Sequence, residues 1–114
     1  MKKILIILGI LFLTACGTKY EVINANTAKD LIDNGAILID VRTEEEYNKD
    51  HINGSINIPL QSIETIDYKF DDVIVLYCAT GIRSAEAAQK LVDKGYTKVY
   101  SLDGGLINWG FEGE

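Results

Sequence analysis

Apolar and polar positions alternate along this chain in short blocks after an opening unlike the rest. Met1-Lys2-Lys3 is basic, and Ile4 to Leu13 is an apolar run broken only by Gly9. Ten residues are too few to cross a bilayer as a helix, but they have the length of the apolar region of a signal peptide. Beyond it, five apolar stretches read as strands: Tyr20 to Ile23, Ala36 to Ile39, Ile56 to Ile58, Val73 to Tyr77 and Lys98 to Leu102. Ala36 to Ile39 and Val73 to Tyr77 are apolar at every position, as strands covered on both faces are. Between the strands the pattern turns helical. Asn24 caps a helix over 25–33 with Ala28, Leu31 and Ile32 on one face and Gly35 as its stop. Thr43 and Glu46 form a capping box that opens a short helix ending near Lys49. Ile63, Ile66 and Phe70 predict a helix over 61–70. A helix over 84–94 carries Ala85, Ala88, Leu91 and Val92 inward and stops at Gly95. Asp103-Gly104-Gly105 then turns into a segment bearing Trp109.

Strands alternating with helices predict an α/β domain with a mostly parallel sheet of about five strands and helices on both faces. Ligands of such sheets bind beyond the C-terminal ends of strands, where both Asp40 and Cys78 fall. The composition, 47% apolar and 25% charged, is that of an ordinary globular chain. The stretch from Cys16 to the C-terminus suffices for one small domain. Net charge is −6, and about −8 once Lys2 and Lys3 are removed with the leader. Nucleic acid and electrostatic binding to anionic lipid are both argued against. An anionic substrate would need a local positive site.

Local chemistry concentrates in Cys78-Ala79-Thr80-Gly81-Ile82-Arg83, between a buried strand and a helix start. Backbone N–H groups, the positive helix end and Arg83 all favour a thiolate there, and an exposed thiolate is a nucleophile. Gly81 lets the loop turn, and Arg83 offers a planar fork to an anion. The chain has one His and two Cys, too few for a zinc site of the usual ligand count, so no metal is expected. Cys16 is the one disulfide partner available to Cys78.

Leu13-Thr14-Ala15-Cys16 resembles the lipobox of bacterial lipoproteins. The resemblance implies cleavage before Cys16 and its thioether linkage to diacylglycerol; a plain signal peptide with a chance Cys and an uncleaved anchor are the alternatives. Acylation would leave Cys78 unpaired. From Lys19 onward the chain resembles a single-domain rhodanese, a sulfurtransferase. The motifs come in the family's order: Asp40-Val41-Arg42, Glu45-Glu46-Tyr47, His51 through Pro59, the loop from Cys78 to Arg83, then Gly104-Gly105 and Trp109. The resemblance implies a rhodanese-like fold and a Cys78 that accepts a sulfane sulfur as a persulfide and passes it on. Related phosphatases and arsenate reductases have five residues between Cys and Arg. Four intervene here, Ala79, Thr80, Gly81 and Ile82, which favours sulfur over phosphate chemistry. Ala79 replaces the charged residue that often follows the nucleophile, so thiosulfate is expected to be a poorer donor than polysulfide or a protein persulfide.

The expected organisation is a signal peptide over 1–15, a lipidated Cys and linker over 16–19, and the domain over 20–114. Cys78 is the expected catalytic residue, Ala79 to Arg83 the binding loop, and Asp40, Arg42 and His51 its supports. Arg42 is expected to pair with Asp40 or a neighbouring acid, Asp40 to hydrogen-bond backbone near the loop, and His51 to bond locally. Trp109 is assigned to the core or the pocket rim, and Glu44-Glu45-Glu46 to helix-start charge. Two functions stay open. One is a lipid-anchored sulfurtransferase in the bacterial envelope, outside the cytoplasm, with a thiol or cyanide as acceptor. The other is a sulfur-carrier or docking module serving an envelope thiol oxidoreductase. Neither uses a cofactor, and a monomer is expected.

Overall fold

The computed structural model describes residues 19–111. The leader, Cys16 and the last three residues lie outside that range, and so do the expectations placed on them. In chain order the elements are β1 (Glu21–Ile23), α1 (Ala25–Asp33), β2 (Ile37–Asp40), α2 (Glu44–Lys49), β3 (Ile56–Asn57), a 3₁₀ helix (Leu60–Thr65), β4 (Val73–Tyr77), α3 (Ile82–Lys94), β5 (Lys98–Leu102) and a second 3₁₀ helix (Gly105–Asn108). The five strands form one sheet in the order β1-β5-β4-β2-β3, with every pair parallel.

Both faces of the sheet are covered. Ile39, Ile74, Leu76 and Val99 pack on one side with Ala87, Ala88, Leu91 and Val92 of α3 and with Ile63 and Ile66. Leu38, Val75, Tyr77 and Leu102 point the other way, toward Ala28 of α1, Ile52 and Trp109. Successive residues of a strand face opposite sides, so a strand with both faces buried must be apolar throughout.

The caps form as the residue types dictate. The Asn24 side chain accepts a hydrogen bond from the Thr27 N–H at 2.8 Å. Thr43 Oγ1 accepts from the Glu46 N–H while Glu46 Oε1 accepts from the Thr43 N–H, at 3.2 and 3.0 Å.

Two expectations are corrected. No helix spans 61–70: the 3₁₀ helix ends at Thr65 and Ile66 is extended. Ile63 and Ile66 are buried, but Phe70 is 54% exposed. A spacing of three suits a 3₁₀ turn, and beyond it the backbone finds tertiary partners. Tyr96 Oη accepts from the Tyr68 N–H at 3.1 Å and lies 3.3 Å from the Ile66 carbonyl oxygen. The helix expected from Ser84 starts instead at Ile82, and its inward face carries Ser84 and Ala87 where Ala85 was expected.

From β2 the chain moves outward to β3, and from β4 it moves the opposite way to β5. The order therefore switches between β2 and β4, and a crevice opens at their C-terminal ends. Cys78 follows β4 there, opposite Asp40 at the end of β2.

The second 3₁₀ helix braces the loop from behind. The Leu106 N–H donates to the Cys78 carbonyl at 2.8 Å and the Ile107 N–H to that of Ala79 at 3.3 Å. Gly105 makes this approach feasible. Its φ is +63°, and a Cβ there would lie 2.4 Å from the Cys78 carbonyl oxygen and 2.7 Å from the Ala79 backbone. Gly105→Ala should therefore destabilise the domain by about 2–4 kcal/mol, combining left-handed strain with overpacking. The shift of the urea unfolding midpoint checks this.

Candidate active site

Cys78 sits where β4 ends and the chain doubles back into α3. Gly81, at φ +105°, makes that reversal without a Cβ penalty and stands at the cap of the thirteen-residue helix. The Gly81 N–H donates to Cys78 Sγ at 3.0 Å and the Ser84 N–H at 3.3 Å. With the carbonyls of Cys78 and Ala79 committed to the second 3₁₀ helix, N–H groups are left to face the sulfur. The helix dipole adds its positive end.

The thiol is not exposed as the sequence led us to expect. Cys78 is 1% exposed and belongs to the core cluster that includes Ile39, Val41 and Ala87. The loop wraps its own sulfur because its N–H donors must point inward to reach it. Burial pushes the Cys78 thiol up. The N–H groups of Ser84 and Gly81, the Ser84 hydroxyl and the Thr80 N–H pull it down, and the balance lies below the ordinary value.

Ser84 escaped the sequence reading. Its hydroxyl lies 3.7 Å from Cys78 Sγ, 3.2 Å from the Gly81 carbonyl oxygen and 2.7 Å from the Ser101 hydroxyl. Ser84 and Ser101 are both buried. Beside a protonated thiol the Ser84 hydroxyl can accept from sulfur and donate to Gly81. Beside a thiolate it can turn its proton to sulfur while Ser101 donates to it. The available signal was a hydroxyl residue directly after Arg83, on the first turn of the helix. Ser101, seventeen residues further on, had none.

The planar fork of Arg83 meets a carboxylate within the chain. Its guanidinium grips the Glu46 carboxylate as a two-pronged pair, Nη1 to Oε1 at 2.8 Å and Nη2 to Oε2 at 3.1 Å. Glu46 is therefore more than helix-start charge. Of the other loop residues, Ala79 and Thr80 supply backbone, and Ile82 is 77% exposed at the rim.

Asp40 and Arg42 form the expected pair, and both are buried. Asp40 accepts from Arg42 Nη2 at 2.8 Å and from the Arg42 backbone N–H at 2.8 Å. The backbone it bonds is its own strand end, which pairs with Tyr77 beside the start of the Cys78 loop, as expected. Arg42 also donates to the Asp50 carbonyl at 2.6 Å, which ties the crossover after α2 to β2. His51 bonds locally: Nδ1 is 2.8 Å from the Tyr47 carbonyl oxygen, and its ring stacks on Tyr47 at 3.7 Å. Trp109 is in the core at 5% exposed and also walls a surface cleft of about 480 Å³ with Asn24, Asp103 and Phe111. The structure thus gathers Cys78, Gly81 and Ser84 around one sulfur and places Arg83 on Glu46. Asp40, Arg42 and His51 are engaged in structural contacts of their own.

This is a parallel α/β domain whose strand-to-helix loop turns its backbone donors on a buried cysteine sulfur. Residues 24–112 match the rhodanese-like domain, and the chain belongs to that family. It is 42% identical over 77 residues to YqhL of Bacillus subtilis, covering 66% of this chain and 61% of that protein's length. It is 35% identical over 94 residues to the thiosulfate sulfurtransferase GlpE of Pseudomonas savastanoi, covering 81% of this chain and 89% of that one. Among solved structures it is similar to the human single-domain sulfurtransferase TSTD1, with a TM-score of 0.74 and 26% identity over 80% of this chain and 96% of that chain.

Removing the Ser84 hydroxyl tests the sulfur environment. In Ser84→Ala the thiol should ionise at higher pH than in wild type, read from thiolate absorbance against pH. The folded thiol of the wild type ionises below the unfolded one. Between those two values the native state binds fewer protons, so stability rises with pH across the window and is lost as pH falls through the folded value. Ser84→Ala should narrow that window.

Proposed function

We propose that this protein is a sulfurtransferase working through a Cys78 persulfide. The observation that carries the reading is the pair of N–H groups, from Gly81 and Ser84, at 3.0 and 3.3 Å from Cys78 Sγ. They suit a thiolate before transfer and the anionic persulfide after it. The thiolate attacks the outer sulfur of the donor, and the donor's sulfur–sulfur bond breaks with its electron pair. Thiosulfate would leave sulfite, whereas a persulfide or polysulfide would leave the shorter thiolate. Attack by a thiol or cyanide on the outer sulfur of Cys78 then regenerates the thiolate. A preformed thiolate needs no separate base. The four-residue gap before Arg83 makes a tighter loop than the five-residue gap of phosphatases. Similarity to GlpE and TSTD1 supports the same chemistry.

The second reading is a sulfur carrier that loads but hardly turns over. Among the described residues Cys78 is the one free cysteine, with no second thiol to resolve the persulfide. Incubation of the protein with thiosulfate, polysulfide and a glutathione persulfide should add one sulfur atom to Cys78 by intact mass, and Cys78→Ser should add none. Identical masses with every donor would end both readings. Stoichiometric loading with negligible turnover to cyanide would favour the carrier.

We further propose that the domain is tethered outside the cytoplasm of a bacterium by acyl chains on Cys16. The support is the leader and the motif from Leu13 to Cys16. Two or more acyl chains hold a protein to a membrane without a spanning helix. Cys16→Ser should release the protein from membranes or leave its precursor uncleaved. Unchanged membrane fractionation would overturn this tether.

A further inference from the structure

The mechanism above leaves the Arg83–Glu46 pair unused, yet it stands at the end of the reactive loop. Each side chain is 35% exposed, so the pair lies on the rim and within reach of a donor. Glu46 is also pinned from its own side. Oε1 accepts from the Thr43 N–H at 3.0 Å and from the Thr43 hydroxyl at 3.1 Å, in the capping box that opens α2. The carboxylate therefore cannot follow Arg83 inward without undoing its cap. Arg83 holds it low, the Thr43 backbone bond adds to this, burial opposes, and the group is lowered to about 2. It is ionised at every pH at which the protein would work.

The chain has only two arginines. Arg42 is bound to Asp40 at 2.8 Å and lies 3.8 Å from Asp50. Arg83 is bound to Glu46. Both guanidinium charges beside the crevice are compensated, and the net charge of the whole chain is −6. A donor with two negative charges meets backbone N–H groups, a fixed carboxylate and no unpaired guanidinium. Two isoleucines are exposed at the loop and its brace: Ile82 in the loop, 77% exposed, and Ile107, 76% exposed, whose N–H bonds the Ala79 carbonyl.

We propose that Glu46 is a specificity-determining residue: by occupying the fork of Arg83 it turns away dianionic thiosulfate and leaves the loop to persulfides carried on a thiol amino acid or peptide. This deepens the sulfurtransferase reading and rests on it. The favoured step is balanced. The Cys78 thiolate takes the outer sulfur of the persulfide R–S–SH with its hydrogen, and R–S⁻ departs with the bonding pair. No outside oxidant or reductant takes part.

Glu46→Gln keeps an oxygen for the Thr43 N–H but removes the charge. It should raise kcat/KM for thiosulfate by about 2- to 5-fold, the range of one partly exposed ion pair. Turnover with cysteine persulfide, whose ammonium offsets its carboxylate, should change less than about 2-fold, since that donor gains little from the freed guanidinium. Glu46→Asp keeps the charge and should remain a poor user of thiosulfate. Thermal melts establish that each variant is folded, and Glu46→Ala repeats the charge removal if Gln is not tolerated. Anion affinity is read separately in Cys78→Ser protein, which cannot accept sulfur. There Glu46→Gln should tighten thiosulfate binding by calorimetry to a similar degree. Unchanged thiosulfate binding, or equal gains for both donors, would overturn the role of Glu46 and leave the sulfurtransferase reading standing. Tighter binding in a protein whose Cys78 gains no sulfur from any donor would uphold the charge masking and end the transfer reading.

Discussion

A sulfur atom that is buried and yet ringed by hydrogen-bond donors imposes the governing constraint on this molecule. Burial alone would push the Cys78 thiol up, and donors fixed beforehand within hydrogen-bond distance pull it below the ordinary value. The chain meets this with backbone. The N–H groups of Gly81 and Ser84 converge on the sulfur because the loop reverses at Gly81. The carbonyls of the same loop would otherwise compete for the inward direction. They are engaged from outside by the N–H groups of Leu106 and Ile107, which approach only because Gly105 lacks a Cβ. The second 3₁₀ helix is therefore part of the site though it carries no reactive group.

The rest of the crevice is built on the same economy of charge. Asp40 and Arg42 are buried together, and each satisfies the other while organising the chain between β2 and β3. A buried pair of this kind is weak as a source of net stability, and its loss on one side is costly. Its evident effect here is geometric, since it holds the strand end opposite the reactive loop. Arg83 and Glu46 repeat the arrangement at the rim, where solvent weakens the attraction. The consequence is a site that stabilises one negative charge at the sulfur through dipoles and offers little uncompensated positive charge around it.

Much of this was legible beforehand. Strands covered on both faces need apolar residues at every position, so β2 and β4 announced themselves. The Asn24 cap, the Thr43–Glu46 capping box and the Asp40–Arg42 pair depend on neighbours close in sequence, and each formed. The stretch 61–70 misled because its apolar spacing fits two kinds of helix, and the choice fell to Tyr96, which supplies side-chain partners from thirty residues away. The role of Ser84 could have been suspected from its place on the first helical turn. That of Ser101 could not, because only the pairing of β5 with β4 brings it near.

By itself, the sequence determined the parallel α/β class, the position of Cys78 at a strand end, the helix that follows it and the residue gap before Arg83. These rest on local periodicity and on the conformational limits of single residues, which act without reference to distant parts of the chain. Tertiary structure alone decided that the sulfur is buried, that Ser84 and Ser101 stand behind it, and that Arg83 faces a carboxylate thirty-seven residues away. Charge partners are chosen by proximity in space. A lone arginine in a motif declares its charge and its fork, but only the packed fold says which anion it holds.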